Sequence, residues 1–132
     1  MASSLYKYSF TTRLHDIDAA GVVFFARIFY YAHDAYESFL SHHQQPIQKI
    51  LQADFILPVS HTEADFKAPM FLNEEITIDI FSQDVRDNEF TLYYHFLDQS
   101  GQLKATALTQ HVCLDTNTRT RKALPKSIRS IL

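Results

Sequence analysis

The sequence predicts an α+β fold in which an antiparallel sheet wraps around one long helix. Only one extended stretch has apolar residues at helical spacing, and most of the remaining chain alternates in the manner of strands. Short turn-forming segments join these strands, which is typical of antiparallel sheets. At 132 residues, without a repeat or a linker, the chain is predicted to form a single domain over residues 1–132.

The first strand and the long helix are predicted in the N-terminal part of the chain. From Tyr6 to Leu14, aromatic or apolar residues alternate with polar ones, which is the period of a half-buried strand. From Ala26 to Leu40, apolar residues recur at spacings of three and four and predict a helix with one broad apolar face. This face consists of Ile28, Tyr31, Ala32, Ala35, Tyr36 and Phe39. We expect other elements to cover it.

The rest of the chain is predicted to consist mainly of strands. Pro46 interrupts a polar segment, and a short helical turn through Ile50 and Leu51 is expected before Pro58. Four candidate strands rich in Ile, Val, Thr, Tyr and Phe follow, separated by turn-forming residues. They run from Val59 to Phe66, Glu75 to Val85, Glu89 to Asp98 and Leu103 to Asp115. Gly101 marks a hairpin, because glycine adopts a positive φ readily.

Composition and charge argue against several classes of partner. The formal net charge is -3 and the acidic and basic residues are interspersed, so no basic field favours nucleic acid or an anionic membrane. The chain has no run of about 20 apolar residues, as a membrane-spanning helix requires, and its N-terminus lacks the apolar core of a signal peptide. The single cysteine, Cys113, lies in an apolar run and is interpreted as a small buried residue. A cytoplasmic location is therefore predicted.

The segment from Asp16 to Phe25 is the most informative about function, and its residues allow two interpretations. It lies where the first strand ends and the helix begins, so it is either a tight connection capped by Asp16 or Asp18, or a site. A helix start carries amide groups without partners and a partial positive charge, which together stabilise an oxyanion. A carboxylate beside such amides suits attack on an acyl group, as a base or as a nucleophile.

Two patterns in this region resemble a known family. Asp16-x-Asp18-x-x-Gly21-Val-Val-Phe-Phe25, followed by His33-x-x-Tyr36-Glu-Ser-Phe-Leu40, resembles the hotdog-fold acyl-CoA thioesterases of the 4-hydroxybenzoyl-CoA thioesterase type, over nearly the whole chain. Three further stretches resemble most the branch that includes 1,4-dihydroxy-2-naphthoyl-CoA hydrolases. They are Leu57-Pro-Val-Ser-His61, Asp65-Phe-Lys-Ala-Pro69 and Gln110-His-Val-Cys113. The resemblance implies a hotdog fold and hydrolysis of an aryl- or acyl-CoA thioester, with no metal or tightly bound cofactor.

The resemblance also implies roles for single residues. It implies that Asp18 is the catalytic carboxylate and that the backbone N–H of Phe25 polarises the thioester carbonyl. Gly21 then lets the backbone bring the acid and the amide to one carbon atom, and Phe24 belongs with them to the substrate site. Asp16 is interpreted as a support for the loop. Some short-chain-preferring relatives carry histidine at the position of Phe25, so the apolar residue here favours an aromatic or longer acyl group.

A histidine and four basic residues complete the candidate site. His61 lies on the second predicted strand, on the face shared with Val59, Glu63 and Asp65, and is either a paired strand histidine or a substrate or interface residue. Coenzyme A carries several phosphate charges that basic residues must meet. The candidates are Arg86, Arg119, Arg121 and Lys122, although such clusters at strand ends are also often simply solvated.

Association of the chain is predicted on two grounds. A sheet wrapped around one helix leaves an edge strand and one face uncovered, and the strand aromatics supply more apolar surface than one helix covers. These aromatics include Phe81, Phe90, Tyr94 and Phe96. The resemblance implies the same, because hotdog subunits pair their sheets edge to edge, place the acyl pocket between subunits and often form tetramers. A homodimer or homotetramer with an acyl-CoA substrate is therefore expected.

Three other interpretations of individual residues are set aside. Asp16-x-Asp18 is similar to the nucleophile pair of haloacid-dehalogenase-type phosphatases, but the preceding strand is half polar and the chain is short for that parallel fold. His33-Asp34 and His42-His43 lack further metal ligands at a recognisable spacing. Glu37 is an alternative acid, but it lies about 18 Å along the helix from Phe25 and is interpreted as a structural or interface residue.

Two further functions of the same fold stay open. A hotdog module that binds acyl-CoA without cleaving it has no need of a carboxylate beside an electrophile, so Asp18 favours the enzyme. A hotdog dehydratase usually depends on a histidine at the site, and none lies between Asp18 and Phe25. The acyl group itself, aromatic or aliphatic, is not specified by the sequence, because the pocket takes side chains from two subunits.

Overall fold

One long helix and an antiparallel sheet make up most of the structure, a computed structural model that describes residues 3–132. In chain order the elements are β1 (Tyr6–Thr11), a 3-10 turn (Leu14–Asp16), α1 (Arg27–His42), α2 (Ile47–Ile50), β2 (Phe55–Ile56), β3 (Val59–Phe66), β4 (Glu75–Gln83), β5 (Glu89–Leu97), β6 (Leu103–Val112), β7 (Leu114–Asp115) and α3 (Lys126–Arg129). Five strands form one sheet in the order β1-β4-β5-β6-β3, and β2 pairs with β7 separately. Within residues 3–132, no helix combines the length and the apolar character needed to cross a bilayer.

Apolar side chains at helical spacing determine how α1 packs. Ile28, Ala32, Ala35 and Phe39 lie on one face of α1, and each is 0% exposed. The strand residues buried with them alternate along β4 and β5, because successive side chains of a strand point to opposite faces of the sheet. These residues are Ile76, Ile78, Ile80, Phe90, Leu92, Tyr94 and Phe96, all at most 1% exposed. The predicted α+β architecture, with a sheet around one long helix, is confirmed.

The predicted first strand ends earlier than Leu14. β1 stops at Thr11, because the next side chain makes a long-range contact that alternation in the sequence does not show. Thr12 is 0% exposed; its hydroxyl donates to the Phe71 carbonyl at 2.6 Å and accepts from the Glu74 amide at 2.9 Å. This contact takes the chain out of the sheet and into the 3-10 turn. Leu14 is consequently 75% exposed rather than half-buried in a strand.

The predicted last strand, Leu103 to Asp115, is divided in two. β6 ends at Val112, and the residues after Cys113 form β7, which pairs with β2 instead of with the five-stranded sheet. The Cys113 amide still donates to the Asn88 carbonyl at 2.8 Å, in register with the β5–β6 pairing. Cys113 is 0% exposed, as predicted for a small buried residue. Neither β2 nor α3 is predicted by the sequence, since elements of two to four residues are too short to show a period. The long helix and the other strands begin and end within two residues of their predicted bounds.

The argument for association from strand aromatics is wrong for three of the four residues. Phe90, Tyr94 and Phe96 belong to the face beneath α1 and are buried within one chain. Phe81 lies on the opposite face, where its ring centroid is 4.9 Å from that of His95. The sheet has two edge strands, β1 and β3, and the residues of β3 are nearly all exposed whereas those of β1 are half-buried in alternation.

A buried histidine lies beneath α1 near the end of β6. His111 is 1% exposed, and its ring stacks on Phe90 at a centroid distance of 4.9 Å and packs against Tyr36 at 4.6 Å. Because a carbonyl only accepts, Nδ1 donates to the Leu57 carbonyl at 3.1 Å, and Nε2 accepts from the Thr109 hydroxyl at 2.9 Å. Burial lowers the pKa of His111 to about 4, so the imidazole is neutral and both nitrogens are satisfied.

We predict that His111 makes the stability of the fold depend on pH between about 6.5 and about 4. Over this range the unfolded chain binds a proton that the folded chain excludes, so the free energy of unfolding decreases as the pH falls. The contribution approaches about 3 kcal/mol near pH 4, since one pKa unit corresponds to about 1.4 kcal/mol. His111→Gln should flatten this dependence, measured by urea unfolding at a series of pH values.

His95→Gln, on the opposite face of the sheet, is the matched control and should keep the wild-type pH dependence. In His111→Gln the free energy of unfolding should still depend weakly on pH, because burial also lowers the pKa of His43. Carboxyl groups whose pKa is lowered in the folded protein, such as that of Asp98, make the free energy of unfolding depend on pH mainly below their usual pKa of 3.8. An equal slope in His111→Gln and in the wild type would contradict the prediction.

Candidate active site

A tight turn before α1 carries the predicted catalytic acid. Ile17 and Val23 form an isolated antiparallel bridge, and the Asp18 amide donates to the Val22 carbonyl at 2.9 Å. The turn closes where the Gly21 amide donates to the Asp18 carbonyl at 3.0 Å. Gly21 has a φ of +80°, whereas a Cβ built there would meet nothing within 4 Å. Glycine is therefore needed for its dihedral angle and not, as the sequence suggests, for a close approach.

The Asp18 side chain is half-buried and lines a cavity of about 410 Å³. Its Oδ1 accepts a hydrogen bond from the Ala20 amide at 2.8 Å, whereas Oδ2 accepts none within residues 3–132. Apolar side chains that line the same cavity are Val22, Val23, Phe25, Ile28, Phe66 and Met70. One carboxylate oxygen is thus held by the turn, and the other is available for chemistry in a largely apolar space.

Phe25 lines this cavity, and within the described part of the chain its backbone amide donates no hydrogen bond. The preceding amide, of Phe24, is engaged and donates to the Asp16 carbonyl at 2.8 Å. Ala26 occupies the N-cap position of α1, where no side chain caps the helix, and the first turn contains no acidic residue. Within the described residues, the Phe25 amide is therefore an unused donor just before the positive end of α1, and Phe25 lines the same cavity as Asp18.

Asp16 lies behind the turn and outside this cavity. It is 4% exposed; its Oδ2 accepts from the Arg13 amide at 3.0 Å, and its Oδ1 lies 3.4 Å from the Arg27 guanidinium. Its carbonyl also accepts from the Phe24 amide. Because Arg27 is the first residue of α1, Asp16 links the turn that carries Asp18 to the start of the helix. These contacts support its interpretation as a residue that holds the loop.

Two other candidates from the sequence do not line the cavity within one chain. The Phe24 ring is 42% exposed and packs on the Phe25 ring at a centroid distance of 4.7 Å. Glu37 is exposed on α1 and faces the β1 edge of the sheet, where burial, Asp34 and, to a lesser extent, Tyr6 and Glu37 raise the pKa of Tyr8. Phe24 therefore borders the site from outside, and Glu37 lies away from it.

His61 lies far from Asp18 within one chain. It lines a separate polar cleft of about 220 Å³ together with Arg86, on the sheet face opposite α1. A β-bulge between Val59 and His61 puts these two residues on different faces, so their predicted common face is wrong. His61 and Phe66, which borders the Asp18 cavity, are five residue steps apart along β3, or about 17 Å. One chain therefore does not bring His61 to Asp18.

The four basic candidates for phosphate binding also lie at this distant end of the sheet, but they are not equivalent. Arg121 lies 3.3 Å from the Glu89 carboxylate, and Lys122 lies 3.0 and 3.7 Å from two aspartates. Both cations are thus engaged by acids of their own chain. Arg86 and Arg119 form no salt bridge within residues 3–132, which leaves their guanidinium groups accessible to an anion.

The paired histidines of the sequence occupy an aromatic environment. The rings of His42 and His43 lie 4.9 Å apart, and they pack against Tyr6 and Phe39 at 5.2 and 5.1 Å respectively. Over residues 3–132, no group of three or more histidine, cysteine or acidic side chains is arranged to hold a metal ion.

Two lysines of the cavity wall, the exposed Lys67 and the buried Lys104, are not among the predicted site residues, and the buried one is the unexpected one. Lys104 lines the cavity beside Asp18, although it is only 6% exposed. A lysine near the start of a strand is normally solvated, so nothing in the local pattern marks this residue as buried. Its neighbours in the wall, Phe66 to Pro69, do fall in one of the stretches that carry the family resemblance.

A family model described as "Thioesterase-like superfamily" matches residues 12–132. A 1,4-dihydroxy-2-naphthoyl-CoA hydrolase from Gloeothece citriformis is 37% identical over 121 residues, covering 89% of this chain and 85% of that protein. The crystal structure of Slr0204, a 1,4-dihydroxy-2-naphthoyl-CoA thioesterase from Synechocystis, matches with a TM-score of 0.90 at 32% identity and covers 96% of this chain and 93% of that chain. The structure of BH1999 gentisyl-coenzyme A thioesterase matches with a TM-score of 0.85 at 25% identity, over 94% and 99% of the two chains.

These matches include the turn, the start of α1 and the whole sheet edge at β3. They confirm the family resemblance that the Asp16 to Phe25 segment shows in the sequence. The chain therefore belongs to the thioesterase-like superfamily and has the hotdog fold.

Proposed function

We propose that the protein hydrolyses an acyl-CoA thioester with an aromatic acyl group, and that 1,4-dihydroxy-2-naphthoyl-CoA is the first candidate substrate. One observation carries the proposal. Asp18 and Phe25 line the same largely apolar cavity, and one carboxylate oxygen of Asp18 and the backbone amide of Phe25 have no hydrogen-bond partner within residues 3–132. Relatives that match over most of the chain are named as hydrolases of this substrate, which supports the choice.

The reaction follows from the two groups that face the cavity. The thioester carbonyl oxygen accepts a hydrogen bond from the Phe25 amide, where the start of α1 stabilises the negative charge that develops on this oxygen. Asp18 Oδ2 either takes a proton from the attacking water or attacks the carbonyl carbon itself. In both routes the C–S bond breaks, coenzyme A leaves as a thiolate that takes up a proton, and water supplies the new oxygen of the acid product.

The cavity supports an aromatic acyl group. Its volume of about 410 Å³ lies in the range of about 300 to 1,000 Å³ that is typical of pockets for small organic molecules. The Phe25 and Phe66 side chains border it and are 61% and 54% exposed, which leaves ring surface available to a substrate. Aromatic rings pack favourably on one another in offset or edge-to-face geometry, so these rings favour a flat aryl group over a flexible chain.

A thiol-release assay over a panel of acyl-CoA thioesters tests the proposal. The panel includes 1,4-dihydroxy-2-naphthoyl-CoA, benzoyl-CoA and straight-chain acyl-CoAs, and the aryl thioesters should be hydrolysed fastest. If only straight-chain thioesters are hydrolysed, the proposed aromatic acyl group is wrong, but the proposed thioester hydrolysis still holds. Binding without thiol release would favour the non-catalytic acyl-CoA-binding module, and hydration of an enoyl-CoA would favour a dehydratase.

We further propose that the active unit is a homodimer formed through β3. β3 is an eight-residue edge strand whose outer backbone groups have no partner strand within residues 3–132. A two-fold axis at its centre pairs two copies antiparallel and joins their sheets, so that Phe66 lies opposite the partner's Val59. The partner's His61 and the partner's Arg86 then approach the cavity that Asp18 lines. Arg86 is accordingly the preferred phosphate-binding residue, while a tetramer and a cytoplasmic location stay predictions from the sequence.

Asp18→Asn should lower kcat at least about 100-fold and leave the fold intact. The amide oxygen of asparagine still accepts from the Ala20 amide, but the side chain neither takes up a proton nor attacks a carbonyl. The measurement is thiol release with the preferred thioester, beside urea unfolding of the same variant. Asp87→Asn changes an exposed acid in the β4–β5 connection and is the control. Wild-type turnover in Asp18→Asn, or its loss in Glu37→Gln instead, would show that another carboxylate is used.

Mixing two impaired variants tests whether one site takes residues from two subunits. Arg86→Ala should raise KM for the acyl-CoA at least about 10-fold, because it removes a charged contact with a phosphate. Dimers of Asp18→Asn or of Arg86→Ala alone have no intact site. In a mixed dimer, one of the two sites receives both native residues, so random pairing should restore about one quarter of the wild-type kcat/KM.

The exchange of subunits is verified by light scattering and by mass spectrometry of the intact assembly. Two outcomes count against the shared site: wild-type activity from a species with the mass of one 15.3 kDa chain, or a mixture no more active than its components. Arg86→Ala with an unchanged KM would remove Arg86 from the phosphate site.

A further inference from the structure

The wall of the Asp18 cavity contains a buried lysine that the proposed chemistry does not use. Lys104 is the second residue of β6, and its side chain is 8% exposed. Removing an ammonium group from water is unfavourable unless partners replace the lost hydration, and lysine is therefore rarely buried. Its partners therefore determine how this part of the cavity wall is held.

Three oxygen atoms surround the Lys104 ammonium. Nζ donates to the Pro69 carbonyl at 3.0 Å and lies 3.4 Å from the Glu74 carboxylate and 3.7 Å from the Asp98 carboxylate. Pro69 and Glu74 belong to the connection between β3 and β4, whereas Asp98 begins the hairpin between β5 and β6. One buried cation thus joins two connections that lie beside each other at the same end of the sheet.

The main chain of Lys104 holds the same connection a second time. Its carbonyl accepts from the amides of Lys67 and Ala68 at 2.9 and 3.0 Å. Met70 lies two residues further along this connection than Ala68. Its carbonyl accepts a hydrogen bond from the Val23 amide at 2.8 Å. Since Val23 closes the turn that carries Asp18, the wall segment from Lys67 to Met70 is hydrogen-bonded to Lys104 at one end and to this turn at the other.

We propose that Lys104 is a positioning residue that sets the shape of the acyl pocket and thereby the selectivity of the enzyme for the acyl group. The inference rests on the proposed thioester hydrolysis. Lys104 holds the wall segment from Lys67 to Met70 at a fixed distance from Asp18, so a bulky aryl group meets a preformed surface. A neutral side chain cannot do this, because it releases the Pro69 carbonyl and leaves two carboxylates without their cation.

The first test compares selectivity in Lys104→Met and in Lys7→Met. Methionine keeps most of the length of the side chain and removes the charge, and Lys7 forms a salt bridge with Asp79 at 2.8 Å on β1, away from the cavity. With benzoyl-CoA and butanoyl-CoA as substrates, Lys104→Met should lose at least about 10-fold in the ratio of the two kcat/KM values, mainly through KM for benzoyl-CoA. Lys7→Met should keep the wild-type ratio. An unchanged ratio in Lys104→Met overturns the proposal.

Amide hydrogen exchange without substrate tests the same link independently of activity. In Lys104→Met, the Val23 amide should exchange at least about 10-fold faster than in the wild type, while the Tyr94 amide in the buried sheet keeps its protection. Unchanged exchange at Val23 overturns the proposal. Inactivity of the wild type towards the whole panel would instead refute the proposed function, and the exchange result would still decide whether Lys104 holds the wall.

Two further variants separate the wall from the overall fold. Lys104→Arg keeps a cation that can donate to the Pro69 carbonyl and should retain both the selectivity and the Val23 protection. If Lys104→Met does not fold, Lys104→Met combined with Glu74→Gln removes one of the uncompensated carboxylates and takes its place in both measurements. Selectivity lost in Lys104→Arg to the same extent as in the methionine variant contradicts the proposed role of the charge.

Discussion

The turn closed by the bridge between Ile17 and Val23 is the constraint on which the rest of the site depends. It places Asp18 at a corner and, within a few residues, delivers Phe25 to the start of α1. Asp16 braces this arrangement, because its carbonyl holds the Phe24 amide and its carboxylate holds Arg27 at the first position of the helix. An acid and an amide donor are thereby fixed near each other by contacts that are almost entirely local in sequence. Only the wall opposite them, the connection after β3, requires the completed sheet.

The completed sheet explains why one chain holds only part of the machinery. β6 pairs with β3 over its whole length, so the Phe66 end of β3 borders the Asp18 cavity while the His61 end borders the cleft with Arg86. Antiparallel pairing of two β3 strands about a two-fold axis reverses these ends with respect to each other. In the proposed dimer, this exposed strand edge brings an acidic turn of one subunit and a basic end of the other together. In this way the length of one edge strand determines the length of substrate that the proposed site can span.

What the sequence predicts well and what it misses differ in the range of the contacts involved. The apolar period of α1, the bounds of β3 and the placement of Asp18 and Phe25 at one cavity all depend on short stretches of chain. Thr12, Lys104 and His111 could not be interpreted in this way, because each is buried by partners more than 30 residues away, at Phe71, Pro69 and Leu57 respectively. The local alternation predicts that Thr12 is a strand residue, and it gives no indication that Lys104 is buried. The aromatic residues of β5 were misread for the same reason, since period alone does not reveal which face a helix covers.

The start of α1 shows a conflict between stability and function. Ala26 at the N-cap leaves helix amides without a side-chain partner, although Ser, Thr, Asp or Asn at this position typically stabilises a helix by about 1 kcal/mol. Such a side chain accepts from an amide further into the helix and not from the Phe25 amide, but an acid at this position would oppose the negative charge that the proposed reaction develops on the thioester oxygen. The absence of an acidic cap thus agrees with the proposed site. The same reasoning applies to Asp18, whose Oδ1 is held while Oδ2 is left open: the local structure satisfies each group only as far as the reaction permits.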